Sequence, residues 1–155
     1  MRTLFFCLCL TFLVSCKNKA DSNIESNDMK SSSGKLTMNG AWKLISYYNY
    51  KDNQVIDTIK ASDDYKQIKM YTNSKVMWSR FKDSDSVDWF GYGDYKIDND
   101  SLIEIIDFGS KSMNQAIKEQ KKFVFDLKLD KNNFSQVQID DSGNPIYAEN
   151  YIRIE

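Results

Sequence analysis

Hydrophobic and polar positions follow three successive patterns along the chain. Leu4 to Leu13 is almost wholly apolar, interrupted by Thr11, with Arg2 before it and Lys17-Asn18-Lys19 after it. A positive residue ahead of a short apolar run marks a secretory signal, here residues 1–15, and the run is well short of the roughly 20 residues that a membrane-spanning helix needs. Residues 16–38 follow, rich in Asn, Asp, Ser and Lys with scattered apolar positions and the run Ser31-Ser32-Ser33-Gly34. Such a stretch cannot bury enough surface to order itself, so it reads as a tether with a root-mean-square reach of about 25–30 Å.

From residue 39 to Glu155 the apolar pattern has a period of two, in short runs separated by Asn, Asp, Gly and Ser, which predicts antiparallel strands. Trp42, Leu44 and Ser46 share one face of the first run, and Val55 to Ile59 make the second. Tyr65 to Tyr71 and Lys75 to Phe81 flank a tight turn at Thr72-Asn73-Ser74. Val87 to Ile97 and Leu102 to Phe108 flank another at Asp98-Asn99-Asp100. Met113, Ala116 and Ile117 have helical spacing, so a short helix or wide loop is expected near residues 110–120. The last three runs are Phe123 to Leu129, Phe134 to Ile139 and Ile146 to Ile154. With no helices between the strands to cover parallel pairs, the chain is predicted to be all-β, an up-and-down antiparallel barrel of about eight to nine strands. Gly91 and Gly93 within one run mark a bend or bulge where the sheet curves.

Composition narrows the chemistry. The chain has no histidine, which excludes Ser-His-Asp and Cys-His catalysis and the usual zinc ligand sets. Its three cysteines are Cys7, Cys9 and Cys16, so the strand-rich domain has no thiol for a disulfide, a nucleophile or a metal. Loss of residues 1–15 takes away Arg2 and no acid, leaving 20 of the 21 basic residues against 22 acidic ones and a net charge of −2. That balance, without a basic run interleaved with aromatics, argues against nucleic-acid binding. Asp83, Asp85 and Asp88 have the alternation of a calcium loop, but Asp88 stands where such a loop needs glycine, and Asp94 where it needs a bidentate glutamate. The segment reads as an acidic hairpin loop, and neither metal nor cofactor is expected.

Two resemblances extend this reading. Leu13-Val14-Ser15-Cys16 resembles the lipobox of bacterial lipoproteins, which implies cleavage before Cys16 and acyl chains on its sulfur and new amino group. Several chains anchor far more firmly than one. The implied location is the bacterial cell envelope, with the outer membrane as the anchoring bilayer. Asn39-Gly40-Ala41-Trp42 opens the first strand with the Gly-x-Trp of lipocalins, and Gly91-Tyr92-Gly93-Asp94-Tyr95-Lys96-Ile97 is similar to a strand of small bacterial lipocalin-like lipoproteins. The resemblance implies that Trp42 closes one end of the barrel and that Arg153, near the end of the last strand, packs across it by a cation–π contact. The longer C-terminal helix of larger lipocalins is missing.

A barrel of this size either holds one small ligand or is filled by its own side chains. Trp78 and Arg80 share one face of a strand, and Trp89 and Tyr95 share a face of the next, offering apolar walls beside one fixed cation. Arg80 is suited to a carboxylate or phosphate head. Glu104 lies among Leu102, Ile106 and Phe108, where an ionised carboxylate needs a partner, and Arg80 is the candidate. The expected function is therefore binding of a small hydrophobic or amphipathic ligand, with no enzymatic activity. The alternative is a solid barrel that holds a protein or glycan partner through Trp89, Phe90 and Tyr92.

Overall fold

The computed structural model describes residues 36–155; the expected signal peptide, Cys16 and the tether up to residue 35 lie outside the described residues. The alternating runs form nine strands: β1 (Gly40–Lys51), β2 (Gln54–Lys60), β3 (Tyr65–Tyr71), β4 (Lys75–Lys82), β5 (Trp89–Asp98), β6 (Ser101–Gly109), β7 (Lys122–Leu129), β8 (Asn133–Ile139) and β9 (Pro145–Arg153). One short helix, α1 (Lys111–Ala116), sits between β6 and β7. Consecutive strands from β3 to β9 pair antiparallel, and β1 closes the ring. Along one edge β1 pairs with β9 from Trp42 to Asn49. Along the other it pairs with β3 over Gly40 to Lys43 and with β2 over Ser46 to Lys51. The all-β up-and-down barrel expected from the alternation is the architecture found.

β2 is an extension rather than a stave. Every one of its residues is exposed, Ile56 at 62%, and its outer edge has no strand partner among the described residues. Its run of Val55 and Ile56 carries strand propensity without a core to pack on. The tight connection at Asp52 and Asn53, both with positive φ, folds it back on β1.

The glycines of β5 lie where the sheet is tightest. A Cβ on Gly93 would stand 2.0 Å from the carbonyl oxygen of Ile105, and the β5–β6 register shifts between Tyr92 and Gly93. Gly91 leaves room for the indole of Trp78. α1 starts at Ser110, whose hydroxyl accepts a hydrogen bond from the Met113 amide, and it turns Met113 inward, only 4% exposed.

One end of the barrel is sealed. Trp42 is fully buried, edge-on to Phe134 at 4.9 Å, and Phe134 stacks on Tyr151 at 4.5 Å. The Arg153 guanidinium lies 3.9 Å from the Trp42 ring centre, donates to the carbonyls of Thr37 (2.8 Å) and Lys131 (2.8 Å), and donates also to that of Asn39. Gly40 is required beneath it, since its φ is +126° and a Cβ would stand 2.2 Å from the Glu155 carbonyl oxygen. The packing starts before the strand pattern does. Met38, assigned to the tether, is fully buried, and its carbonyl accepts from Trp42 Nε1 at 2.7 Å. A single methionine in a polar stretch carries no periodicity, so nothing in the alternation marks it as core.

Candidate functional site

Side chains facing inward from β3, β4, β6, β7, β8 and β9 leave a cavity of about 150 Å³ between the sealed end and the opposite, open end. Its apolar lining is Trp78, Ile106, Met113, Phe123 and Phe125. Among these lie the polar Gln67, Lys69, Glu104, Gln136 and Glu149, Glu104 opposite Phe123 and Lys69 opposite Trp78 in register, and Arg80 also lines the space. The alternation that makes each strand half-buried places these groups inside: Gln67 and Lys69 fall between Tyr65 and Tyr71, and Glu149 between Tyr147 and Tyr151.

Gln67, Lys69, Glu104, Gln136 and Glu149 form one connected network. Lys69 Nζ donates to both carboxylate oxygens of Glu104, at 2.9 and 3.1 Å, and to Gln136 Oε1 at 2.7 Å. The Tyr71 hydroxyl donates to Glu104 Oε1 at 2.5 Å. Lys69 and Glu104 are each 3% exposed, so this is an ion pair removed from water and completed by neutral hydrogen bonds. Gln136 carries the network onward, its Nε2 donating to Glu149 Oε2 at 2.9 Å. Gln67 Nε2 donates to the Tyr151 hydroxyl at 2.7 Å and to the same Glu149 oxygen at 3.3 Å, and the Tyr151 hydroxyl donates to it as well.

Glu149 therefore receives three neutral donors on Oε2, while Oε1 receives none from the described residues. Burial raises its carboxyl above the ordinary glutamate range, although Lys69, the Tyr151 bond and Arg80 act in the other direction. Burial also lifts the hydroxyls of Tyr71 and Tyr151 far above the phenol range, with the neighbouring carboxylates adding to it, so both remain donors. Nearer the open end Tyr47 stacks on Tyr147 (5.4 Å) and meets Tyr65 edge-on (5.5 Å). Arg80 lies 5.0 Å from the Trp89 ring centre and enters no ion pair among the described residues.

A pH dependence follows from Glu149. A carboxyl whose pKa is higher folded than unfolded holds an extra proton in the folded state. Its contribution to stability thus falls as pH rises from the ordinary glutamate value through the folded one. Glu149→Gln removes that loss, because the amide oxygen can take the place of Oε2 beneath the three donors. The variant is expected to have the higher urea midpoint at about pH 8, with the gap closing towards pH 4, in titrations of both proteins across that range.

The residues singled out from sequence separate into three places. Trp78, Arg80 and Glu104 line the cavity together. The partner of Glu104 is Lys69, not Arg80, because Arg80 pairs in register with Gln67, one layer nearer the open end, while Lys69 pairs with Trp78. Trp89 stands beside Arg80 at that end. Tyr95 is at the sealed end, where its hydroxyl donates to the Thr72 carbonyl at 2.7 Å and its ring meets Tyr71 at 4.8 Å. Tyr95 lies six positions along the strand from Trp89, about 20 Å, so a shared face does not make a shared site. Tyr95 borders instead a wide open groove outside the barrel, with Leu36, Asn39, Lys96 and Leu129. Gly40, Trp42 and Arg153 form the seal described above. Among the described residues no group of three or more acids is placed to hold a metal ion.

Lys69, Gln136 and Glu149 were not legible as site residues. The signal was present in the polar positions on the inner face of β3 and β9, but a charged residue in an amphipathic strand is ordinarily read as the outward one.

No family model and no curated protein matches the sequence. Two solved structures share the fold. A lipocalin-like protein from Bacteroides uniformis aligns with 75% of this chain and 97% of its own, at 12% identity and a TM-score of 0.52. An uncharacterized protein from Bacteroides eggerthii aligns with 76% and 99%, at 16% identity and a TM-score of 0.50. At such identities the likeness is one of fold, and the fold is that of a lipocalin-like antiparallel β-barrel.

Proposed function

We propose that this chain is a lipid-anchored lipoprotein of the bacterial envelope whose barrel binds a small amphipathic molecule. The observation that carries the reading is the cavity of about 150 Å³ whose lining mixes aromatic and aliphatic side chains with a hydrogen-bonded polar network. A purely hydrophobic ligand would leave the charges of Arg80 and Glu149, which enter no ion pair among the described residues, without a counterpart, so a ligand with both characters fits better. The volume lies below the roughly 300–1,000 Å³ of drug-sized pockets, so the ligand is compact. The role is binding without catalysis: Lys69, Glu104 and Gln136 are tied into one hydrogen-bonded network, and the chain has no histidine to move a proton near neutral pH.

The anchor rests on Leu13-Val14-Ser15-Cys16. Metabolic labelling with an alkynyl palmitate in a bacterial host is expected to label the wild-type chain and to leave Cys16→Ser unlabelled. Equal labelling of both would remove the anchor.

A second reading, the solid-barrel interaction protein, is favoured by one feature of the outer surface. Met70, Met77, Tyr92 and Phe108 are successive cross-strand partners on β3, β4, β5 and β6, and form an apolar row outside the barrel in which Met70, Met77 and Phe108 are strongly exposed. Such a row fits a protein surface. An interior that admits no small molecule, together with binding lost on Met77→Lys, would favour this reading over the first.

A further inference from the structure

Two opposite charges line the cavity, Arg80 and Glu149, and neither forms a salt bridge with the other or with any described residue, although Glu149 accepts three hydrogen bonds. Lys69 and Glu104 neutralise one another, and Gln136 and Tyr71 complete their hydrogen bonds. Arg80 and Glu149 are what remains. Arg80 has the Trp89 ring beneath it but no carboxylate within ion-pair distance, and Glu149 presents an oxygen that no described donor reaches. Two such charges lining one space that Trp78, Phe123 and Phe125 also line describe the complement of a molecule that carries both signs.

We propose that the ligand of this cavity is a small zwitterion of the amino-acid class, its ammonium group on Glu149 and its carboxylate on Arg80. The proposal rests on the binding reading above and specifies its chemistry. Each half of the ligand answers a particular group. An ammonium donates to Glu149 Oε1 and lies beside aromatic faces, where a cation is favoured. A carboxylate takes the two-pronged guanidinium of Arg80, whose stacking on Trp89 holds its plane. A ligand with one charge would leave the other cavity group without an opposite charge beside it, which sets the zwitterion above both lipids and simple amines. The space corresponds to the share of liquid volume taken by about five waters, which suits a short carbon chain and excludes a long acyl tail.

The test uses probes with the same five-carbon skeleton: 5-aminopentanoate, norvaline, pentylamine, pentanoate and uncharged pentanol. The full chain, held in lipid nanodiscs, carries 13C-methyl methionine, and the Met113 methyl, which lines the cavity, reports occupancy; its resonance is assigned by its absence in Met113→Leu. Expected is a saturable shift with at least one of the two zwitterions, at an affinity at least tenfold above those of pentylamine and pentanoate. Glu149→Gln should then abolish the advantage over pentanoate, and Arg80→Gln the advantage over pentylamine. Pentanoate, pentylamine or pentanol binding as tightly as both zwitterions, or an unchanged ranking in Glu149→Gln, overturns the zwitterion and leaves a ligand-binding barrel standing. No saturable shift with any of the five overturns both.

Discussion

Lys69→Met is expected to lower the unfolding free energy by about 3–5 kcal/mol, the range for removing one member of a buried ion pair. The methionine fills most of the lysine's volume, so the loss comes from electrostatics rather than from a void. Glu104, 3% exposed, would be left with one phenol hydroxyl as its remaining hydrogen-bond partner, and Gln136 Oε1 would lose its donor. Lys69→Met with Glu104→Leu should recover more than half of that loss, because an apolar pair replaces a charged one and only the Gln136 and Tyr71 polar atoms are left unmatched. Urea unfolding of the wild type, the single variant and the pair measures all three. A single variant within about 1 kcal/mol of wild type would mean that Glu104 does not remain a buried, unpaired charge once Lys69 is gone.

The second large effect belongs to the sealed end. Trp42→Ala should lower stability by about 3–5 kcal/mol, since it empties a fully buried position whose neighbours are held by the sheet and cannot collapse inward. Phe134 loses its edge-on partner, the Met38 carbonyl loses the indole donor, and Arg153 loses the ring beneath its guanidinium. Trp42→Phe keeps an apolar ring but not the N–H, and is expected to lose about 1–2 kcal/mol, so the difference between the two separates the plug from its hydrogen bond. Thermal unfolding followed by near-ultraviolet circular dichroism reports both, because the aromatic packing gives the signal.

Much of this architecture could be read in the residue pattern, and the reason is geometric. Alternation reports which side chains of a strand share a face, and turn residues such as Asn99, found here with positive φ, report where strands end. Those two facts suffice for a meander, and the Gly-x-Trp opening with a late arginine placed the seal at Trp42 and Arg153. The interior was harder. Alternation puts Tyr65, Gln67, Lys69 and Tyr71 together but cannot say which face turns inward when both faces carry mixed residues, and it carries no information on register between strands. Register decides that Lys69 lies beside Trp78 and meets Glu104, and that Arg80 sits one layer higher. Depth along the axis was likewise invisible, which is why Trp89 and Tyr95 are found at opposite ends. Cys16 and the segment around it fall outside residues 36–155, so their reading still rests on the sequence.

The strand that lies outside the ring has its own implication for handling the protein. β2 offers a row of backbone donors and acceptors to solvent, flanked by exposed Val55, Ile56 and Ile59, with Asp57 and Lys60 as the charges interleaved among them. Any extended polypeptide of like character can zip onto that margin, and identical molecules at high concentration supply one another with such a segment. Precipitation of concentrated samples should therefore start there, and a lysine in place of Ile56 is the change that blunts it without touching the interior.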